Sequence, residues 1–172
     1  MAFIWNVKEI RILGGMRAVL GLDISAIEKI VDNYTGAGVV TVANYNTPQQ
    51  IVLSGDAEGL EAVSVAAKES GGKVIPLNVS VANHSPLVAE AIPDFSLFMD
   101  SIQFNRPKAA VYFNVTAATE EDPGEIKRIM TQQIASRVRW YESINRMIDD
   151  GVDCFIEVGP KTVLKGLMRK IV

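Results

Sequence analysis

The sequence holds few of the residues that most often carry chemistry or cross-links. It has one histidine, His84, and one cysteine, Cys154, among 172 residues. A single cysteine cannot form an intramolecular disulfide, so we expect a reducing, cytoplasmic location. No apolar run approaches the roughly 20 residues that a membrane-spanning helix needs. Residues 1–15 also lack the layout of a signal peptide, and we therefore expect no membrane partner.

An excess of positive charge is also missing. The chain has 17 Lys and Arg residues against 20 Asp and Glu residues, which gives a net charge of −3. Because nucleic-acid binding relies on Lys and Arg to neutralise phosphates, this balance argues against a nucleic-acid partner. The hydrophobic fraction of 48% is normal for a globular protein and predicts a packed core.

Residues 15–82 have the pattern of a small sheet with two helices. The apolar run Met16–Leu22 predicts a buried strand. Ser25 and Glu28 have the spacing of a capping box, which predicts that a helix begins there. Two β-rich stretches, a helix capped by Asp56 and a last strand complete the order β-α-β-β-α-β. Three apolar residues are expected to share the buried face of this second helix: Leu60, Val63 and Ala67. This order is typical of the ferredoxin-like fold, an antiparallel sheet with two helices on one face.

Residues 83–172 alternate between helical and strand patterns. The apolar stretch Ala109–Asn114 predicts a strand whose two faces are covered by helices. Asp153–Val158 predicts a second buried strand, with Cys154 in its core. Two strands are too few for an independent sheet. We therefore expect this half to be the end of a larger α/β domain and to expose an apolar surface.

Three short segments form an ordered set along the chain. They are NYNTPQQIVLSG (Asn44–Gly55), NVSVANHSPL (Asn78–Leu87) and IEVGPKTVL (Ile156–Leu164). Together they resemble the C-terminal part of the malonyl-coenzyme A:acyl carrier protein transacylases. The resemblance spans only the second half of a typical family member and leaves an unmatched N-terminal segment, residues 1–14.

The resemblance implies a fold with two lobes. Members of the family insert a ferredoxin-like lobe into a larger α/β-hydrolase-like acyltransferase lobe. We therefore expect a mixed α/β (α+β) protein. Residues 15–82 would form the ferredoxin-like βαββαβ lobe, and residues 83–172 the C-terminal part of the large lobe.

The resemblance also implies roles for four residues. His84 lies where the family keeps its catalytic histidine, and an imidazole suits a general base because it exchanges a proton near neutral pH. Gln133 matches a catalytic-site glutamine whose backbone orients that histidine. Asn44 and Asn46 match a segment near the cleft, and we expect them to contact substrate.

Two departures from the family pattern bear on activity. No G-x-S-x-G motif is present to supply the serine nucleophile, and Arg137 stands where the family usually has proline. Acyl transfer by this route needs a nucleophile, a base and donors for the oxyanion. A lone histidine supplies one of the three, so we expect a truncated form with little activity alone.

The function that the resemblance implies is S-malonyltransferase activity. Malonyl would move from coenzyme A to the phosphopantetheine thiol of acyl carrier protein, in fatty-acid or polyketide synthesis. Malonyl-CoA would be a substrate, acyl carrier protein a partner, and no cofactor or metal is expected. A missing N-terminal lobe, or self-association, would complete the site.

Other interpretations stay open. The chain could be a non-catalytic remnant that binds acyl carrier protein or coenzyme A esters. Its first lobe could also be an independent RNA-binding or ligand-binding module. Sheets that bind RNA display aromatic residues on central strands, and Met16–Leu22 and Gln50–Ser54 contain none. Residue by residue, a lone histidine is more often a surface or capping residue, and asparagines such as Asn44 and Asn46 are more often turn residues.

Overall fold

A computed structural model describes residues 14–172. Within these residues the strands are β1 (Gly14–Leu20), β2 (Val40–Thr47), β3 (Gln50–Asp56), β4 (Lys73–Pro76), β5 (Tyr112–Phe113) and β6 (Ala118–Thr119). The α-helices are α1 (Ile24–Asp32), α2 (Ala57–Glu69), α3 (Ile92–Asp100), α4 (Pro123–Gln132), α5 (Trp140–Asp149) and α6 (Val163–Met168), and a 3₁₀ helix over Pro86–Ala91 precedes α3. Apart from Gly14, which begins β1, the predicted N-terminal segment 1–14 lies outside the described residues.

Strands β1 to β4 form one antiparallel sheet in the order β2-β3-β1-β4. The central pair, β1 and β3, is in register from Gly14 opposite Asp56 to Leu20 opposite Gln50. The elements that precede residue 77 therefore follow the predicted order β-α-β-β-α-β. The edge strand β4 leads into the second half of the chain, whereas the other edge strand, β2, turns directly into β3.

A hydrophobic core lies between this sheet and helices α1 and α2. Its most deeply buried members come from both the strands and the helices: Val19, Ile27, Val42, Ile51, Leu53, Leu60, Val63 and Ala67. The three residues predicted to share the buried face of α2, namely Leu60, Val63 and Ala67, are all in this core, so that prediction is confirmed. Burial of aliphatic side chains of this size is the main stabilising contribution that such a small sheet can gain.

Helix α1 begins at a different cap from the one predicted. The Asp23 carboxylate accepts a hydrogen bond from the Ala26 backbone N–H at 2.7 Å, so the predicted capping box of Ser25 and Glu28 is wrong. Aspartate is as good an N-cap as serine. With the helix starting one residue after Asp23, Ile27 points fully into the core, and the Glu28 side chain is left free for other contacts.

Helix α2 begins at Asp56, as predicted. The Asp56 carboxylate accepts hydrogen bonds from the backbone N–H of Gly59 at 2.8 Å and of Val39 at 2.6 Å. These bonds, with Gly59 first, lower the pKa of Asp56 below its ordinary value, because they stabilise the charged form of the carboxyl. Asp56 therefore ties the start of α2 to the residue that precedes β2.

The second half of the chain differs from the prediction in its strands. Of the predicted strand Ala109–Asn114, only Tyr112–Phe113 is a strand, and it pairs with Ala118–Thr119 in a two-stranded hairpin. The predicted strand Asp153–Val158 has no strand partner among the described residues. A strand needs a neighbour for its backbone groups, and the described part of the chain places only a two-residue partner beside the first stretch and none beside the second.

The same region exposes many apolar side chains, as expected from the sequence. Ile156 is 81% exposed and Val158 is 92% exposed. Cys154 is also exposed, so its predicted place in a core is wrong. Further exposed apolar residues lie on α3 and α6: Leu97, Phe98, Val163 and Leu164. Among residues 14–172, no helix has both the length and the apolar character that crossing a membrane demands.

Candidate active site

His84 lies between β4 and the 3₁₀ helix, directly before a firmly held serine. The Ser85 hydroxyl donates to the Ala82 carbonyl at 2.7 Å and accepts from the Leu87 N–H at 3.3 Å. Ser85 is fully buried and caps the helix that Pro86 opens. The backbone on the C-terminal side of His84 is therefore fixed.

The His84 backbone adopts a left-handed conformation, with φ of 60°. This region costs a residue other than glycine roughly 1–2 kcal/mol. The His84 N–H donates to the Ile134 carbonyl at 3.1 Å, which ties the residue to the end of α4. Such conformations persist only where several surrounding contacts hold the backbone in place, and they are enriched at functional sites.

The imidazole ring is oriented by two backbone carbonyls. Its Nδ1 lies 3.1 Å from the Gln133 carbonyl oxygen and 3.0 Å from the Ser136 carbonyl oxygen. Because a carbonyl can only accept, Nδ1 must carry the hydrogen and donate to both. In the neutral ring Nε2 is then unprotonated and free to accept a proton.

The end of helix α4 explains why the Gln133 carbonyl is free. The last carbonyls of an α-helix have no partner within the helix, and Gln133 is the C-cap of α4. The Ser136 carbonyl comes from the bend that follows the helix. The helix end and the bend together orient the imidazole.

A cleft of about 360 Å³ opens beside the ring. It is lined by Asn83, His84, Phe95, Phe113, Ile129, Met130, Gln133 and Ile134. Within the described part of the chain, no acidic or basic side chain other than the imidazole lines it. A mostly apolar cleft with a few convergent polar groups is the usual form of a small-molecule site.

Gln133 contributes a second polar group at this cleft. Its side-chain Nε2 is buried and has no hydrogen-bond partner among the residues from 14 to 172. A buried donor without a partner costs about 1–3 kcal/mol. The amide is therefore a donor that a bound molecule, or another part of a larger protein, could satisfy.

Asn44 and Asn46 are placed elsewhere. Both are half-buried residues of β2, so they are not in a turn, and Asn44 forms a short parallel bridge with Val138. That bridge puts Asn44 beside the segment that follows the orienting carbonyls. Neither asparagine is among the residues that line the His84 cleft. The structure thus brings Gln133 to the histidine and leaves the two asparagines on the neighbouring strand.

Two contributors to the site could not be found from side-chain identity. Ser136 and Ile134 act through their carbonyl oxygens, which every residue possesses. The available signal was the position of a helix end, because unpaired carbonyls collect there. Among residues 14–172, no group of three or more His, Cys, Asp and Glu side chains is placed to hold a metal ion.

The fold and the site together define a class of protein. It is an α/β protein in which one histidine is oriented by backbone carbonyls so that its Nε2 can accept a proton. A family profile described as "Acyl transferase domain" matches residues 3–171. The chain belongs to this acyl transferase family. The match begins inside the N-terminal segment that the sequence resemblance left unassigned.

The curated relatives that match this chain include malonyl CoA-acyl carrier protein transacylases. The chain is 41% identical over 160 residues to the malonyl CoA-acyl carrier protein transacylase of Bacillus subtilis, covering 92% of this chain and 50% of that protein. The same transacylase of Haemophilus influenzae is 37% identical, with 92% and 51% covered. The chain therefore spans about half the length of these curated relatives.

Solved structures agree with this assignment. The crystal structure of an acyl carrier protein S-malonyltransferase from Vibrio cholerae superposes with a TM-score of 0.90 at 37% identity, covering 93% of this chain and 53% of that one. A malonyl-transacylase in complex with its type II polyketide synthase acyl carrier protein gives a TM-score of 0.90 at 31% identity, with 94% and 53% covered. The resemblance seen in the sequence is confirmed at the level of family and of the mixed α/β fold.

Proposed function

We propose that this chain supplies the general base of a malonyl-CoA:acyl carrier protein S-malonyltransferase. The observation that carries the proposal is the pair of carbonyls, of Gln133 and Ser136, 3.1 and 3.0 Å from His84 Nδ1. This geometry presents Nε2 as the proton acceptor, which is what activation of a hydroxyl nucleophile requires. Gln133 is a positioning residue in this proposal.

The proposed reaction moves one proton at each step through Nε2. The nucleophile's hydroxyl proton passes to Nε2 as its oxygen attacks the malonyl thioester, and the coenzyme A thiolate leaves with that proton. The phosphopantetheine thiol of the carrier protein then gives its proton to Nε2 and attacks the malonyl ester. The ester C–O bond breaks, the nucleophile's oxygen leaves with the proton from Nε2, and malonyl-carrier protein is released. The reaction uses malonyl-CoA as a substrate and needs no cofactor. The pathway would be fatty-acid or polyketide synthesis.

The nucleophile must come from outside the matched half. No G-x-S-x-G motif occurs in the sequence, and the chain covers only about half of its relatives. We propose that the exposed apolar residues of the second half pack against the remaining part of an acyl transferase. Trp140, whose Nε1 is buried without a partner in residues 14–172, lines a groove there with Phe155, Ile156 and Leu164.

We further infer that residues 15–82 form the ferredoxin-like lobe of such an enzyme, and residues 83–172 the C-terminal part of its large lobe. The sheet order β2-β3-β1-β4 with all neighbours antiparallel supports the first assignment. Asn44 and Asn46 on β2 would face substrate only when the remaining part is present. Alone, the chain is expected to have little activity.

The test compares the chain alone with the chain joined to the missing part. The N-terminal half of the Bacillus subtilis relative is fused before Gly14, and each protein is incubated with malonyl-CoA and then with acyl carrier protein. Intact mass reads the malonyl adduct, and malonyl-carrier protein reads the transfer. We expect no adduct on the chain alone, but adduct and transfer with the fusion.

Two variants of the fusion decide the role of the histidine. His84→Ala should lower the rate of adduct formation by orders of magnitude, as loss of a base from such a unit does. Arg128→Ala, which removes an exposed arginine of α4, should leave the rate unchanged. If the fusion forms the adduct at the same rate with and without His84→Ala, the proposal is overturned. Binding of coenzyme A esters or carrier protein without any transfer would favour a non-catalytic remnant instead.

A further inference from the structure

The side chain of Arg137 joins the histidine-holding segment to the first lobe. Its Nε donates to the Val42 carbonyl of β2 at 3.0 Å. Its Nη1 donates to Glu28 Oε1 of α1 at 3.2 Å and also to the Tyr45 hydroxyl. The guanidinium carbon lies 4.4 Å from the centre of the Tyr45 ring, a cation–π distance. One side chain therefore contacts two elements of the first lobe through four interactions.

The partners of Arg137 are themselves connected. The Tyr45 hydroxyl donates to the same Glu28 oxygen that accepts from Arg137. Tyr45 is almost fully buried, and its aromatic ring is a member of the core between the sheet and α1. The anchoring point of Arg137 therefore includes a residue of the hydrophobic core between the sheet and its helices.

The backbone on either side of Arg137 is held by different partners. On one side, the Ser136 carbonyl accepts from His84 Nδ1. On the other side, the Val138 N–H donates to the Ala43 carbonyl at 2.7 Å, and its carbonyl accepts from the Tyr45 N–H at 2.9 Å. The short segment 136–138 thus lies between the imidazole and strand β2.

Peptide planarity links the Arg137 anchor to the ring. The Ser136 carbonyl and the Arg137 N–H belong to one rigid planar unit. A change in the position of Arg137 therefore tilts the carbonyl that accepts from His84 Nδ1. Because the described lining of the cleft contributes no charged side chain, no carboxylate can take over the task of orienting the ring.

We propose that Arg137 is a positioning residue for His84. By anchoring segment 136–138 to β2 and α1, it holds the Ser136 carbonyl against Nδ1 and so selects the ring tautomer with an unprotonated Nε2. The inference rests on the proposed role of His84 as a base. It adds the side chain that determines which ring nitrogen is available, a role distinct from that of the carbonyls themselves.

The test reads the tautomer directly in the full chain. His84 is the one histidine of the sequence, so ¹⁵N-histidine labelling gives a single ring whose two nitrogens are distinguished by long-range ¹H–¹⁵N correlation in the neutral state. We expect hydrogen on Nδ1 in the unaltered chain. In Arg137→Ala, we expect a mixture in which the form with hydrogen on Nε2 rises several-fold. Arg137→Lys should lie between them, because it keeps the charge near Glu28 but loses the bond to the Val42 carbonyl.

Arg128→Ala is the matched control. It also removes one arginine from this half of the chain, and among residues 14–172 that arginine pairs only with Glu125. It should give the unaltered spectrum. A folded Arg137→Ala chain with the unaltered tautomer would overturn the proposal. If Arg137→Ala does not fold, Glu28→Gln decides the matter, because it keeps the side-chain shape and removes the charge that fixes the guanidinium. An unaltered tautomer in that variant would also count against the anchor.

The tautomer measurement tests the positioning role of Arg137, and the transfer assay separately tests the base role of His84. An altered tautomer in Arg137→Ala, combined with no transfer by any form of the fusion, would reject the base role and keep the positioning role. An unaltered tautomer in Arg137→Ala, combined with transfer that depends on His84, would reject the positioning role and keep the base.

Discussion

Two isoleucines illustrate the contrast between the halves of the described chain. Ile51 of β3 is fully buried between the sheet and its helices, whereas Ile156 is 81% exposed. Both lie in stretches with the apolar, β-branched pattern of a buried strand. The first stretch finds antiparallel neighbours on β1 and β2, and the second finds none among the described residues.

The difference between the two isoleucines shows what an apolar pattern can predict. The pattern indicates that a segment will be buried, but the segment forms a strand only where a neighbouring strand pairs with it. In the first half the partner strands belong to one four-stranded sheet. In the second half, an extended apolar segment without a neighbour is what one expects of a surface that packs on another part of a larger protein.

The largest expected effect comes from the buried isoleucine. Ile51→Ala should lower the free energy of unfolding by about 2–5 kcal/mol, because it removes buried methyl groups and leaves a cavity in the core. Urea unfolding followed by far-UV circular dichroism measures the loss. The matched control is Ile156→Ala, which should change the free energy by no more than about 0.5 kcal/mol. Equal losses in the two variants would break the contrast between the halves.

The cap that ties α2 to β2 should have the next largest effect. Asp56→Ala removes the acceptor of two backbone N–H groups, those of Gly59 and Val39. Loss of an N-cap costs about 0.5–2 kcal/mol, and we expect the upper part of that range because Val39 also loses its partner. The same urea experiment measures it. Asp56→Asn should recover most of the loss, since asparagine also caps, and an Asn variant as unstable as the Ala variant would contradict the capping explanation.

Because of the Asp56 carboxylate, we expect the free energy of unfolding to depend on pH in the acid range. The pKa of Asp56 is lowered in the folded chain by the bonds from Gly59 and Val39. Its contribution is therefore present above the unfolded value of about 3.9 and is lost as the pH falls through the lower, folded pKa. Unfolding free energies measured across that window should fall more steeply for the unaltered chain than for Asp56→Asn. Parallel curves would exclude Asp56 as a source of acid sensitivity.

The smallest expected effect on stability belongs to the exposed surface. Ile156→Asp combined with Val158→Asp should change the unfolding free energy by no more than about 0.5 kcal/mol but should lower the fluorescence of a hydrophobic dye bound to the chain. Val65→Asp, which alters an exposed apolar residue of α2, serves as the control and should leave the dye signal unchanged. Undiminished dye binding in the double variant would show that this surface is not the apolar face of the second half.

Much of the first lobe could be predicted from the sequence, because its signals act over short distances. The apolar spacing of Leu60, Val63 and Ala67 and the Asp56 cap each depend on residues within one or two helical turns. The misplaced cap of α1 shows the limit of such signals, since Asp23 and Ser25 both have the chemistry of an N-cap. Which of them is used depends on how Ile27 meets the core.

Less of the site could be predicted. The position of His84 followed from the segments that resemble the family, and so did the link to Gln133. The second orienting carbonyl, that of Ser136, could not be inferred, because a backbone carbonyl leaves no mark in the residue type. Asn44 and Asn46 lie in a stretch dense in turn-forming residues and were expected to contact substrate, but strand β2 extends through both of them.

The sequence by itself determined the order of the elements in the first lobe, the family and the identity of the histidine, because periodicity, caps and ordered motifs are local properties of the chain. The tertiary structure alone decided which nitrogen of His84 is free, since the two carbonyls that hold Nδ1 are 49 and 52 residues away. It also decided that Cys154 is exposed and that Arg137 reaches Glu28, 109 residues away. Contacts at such separations depend on how distant parts of the chain pack, and no local pattern encodes that packing.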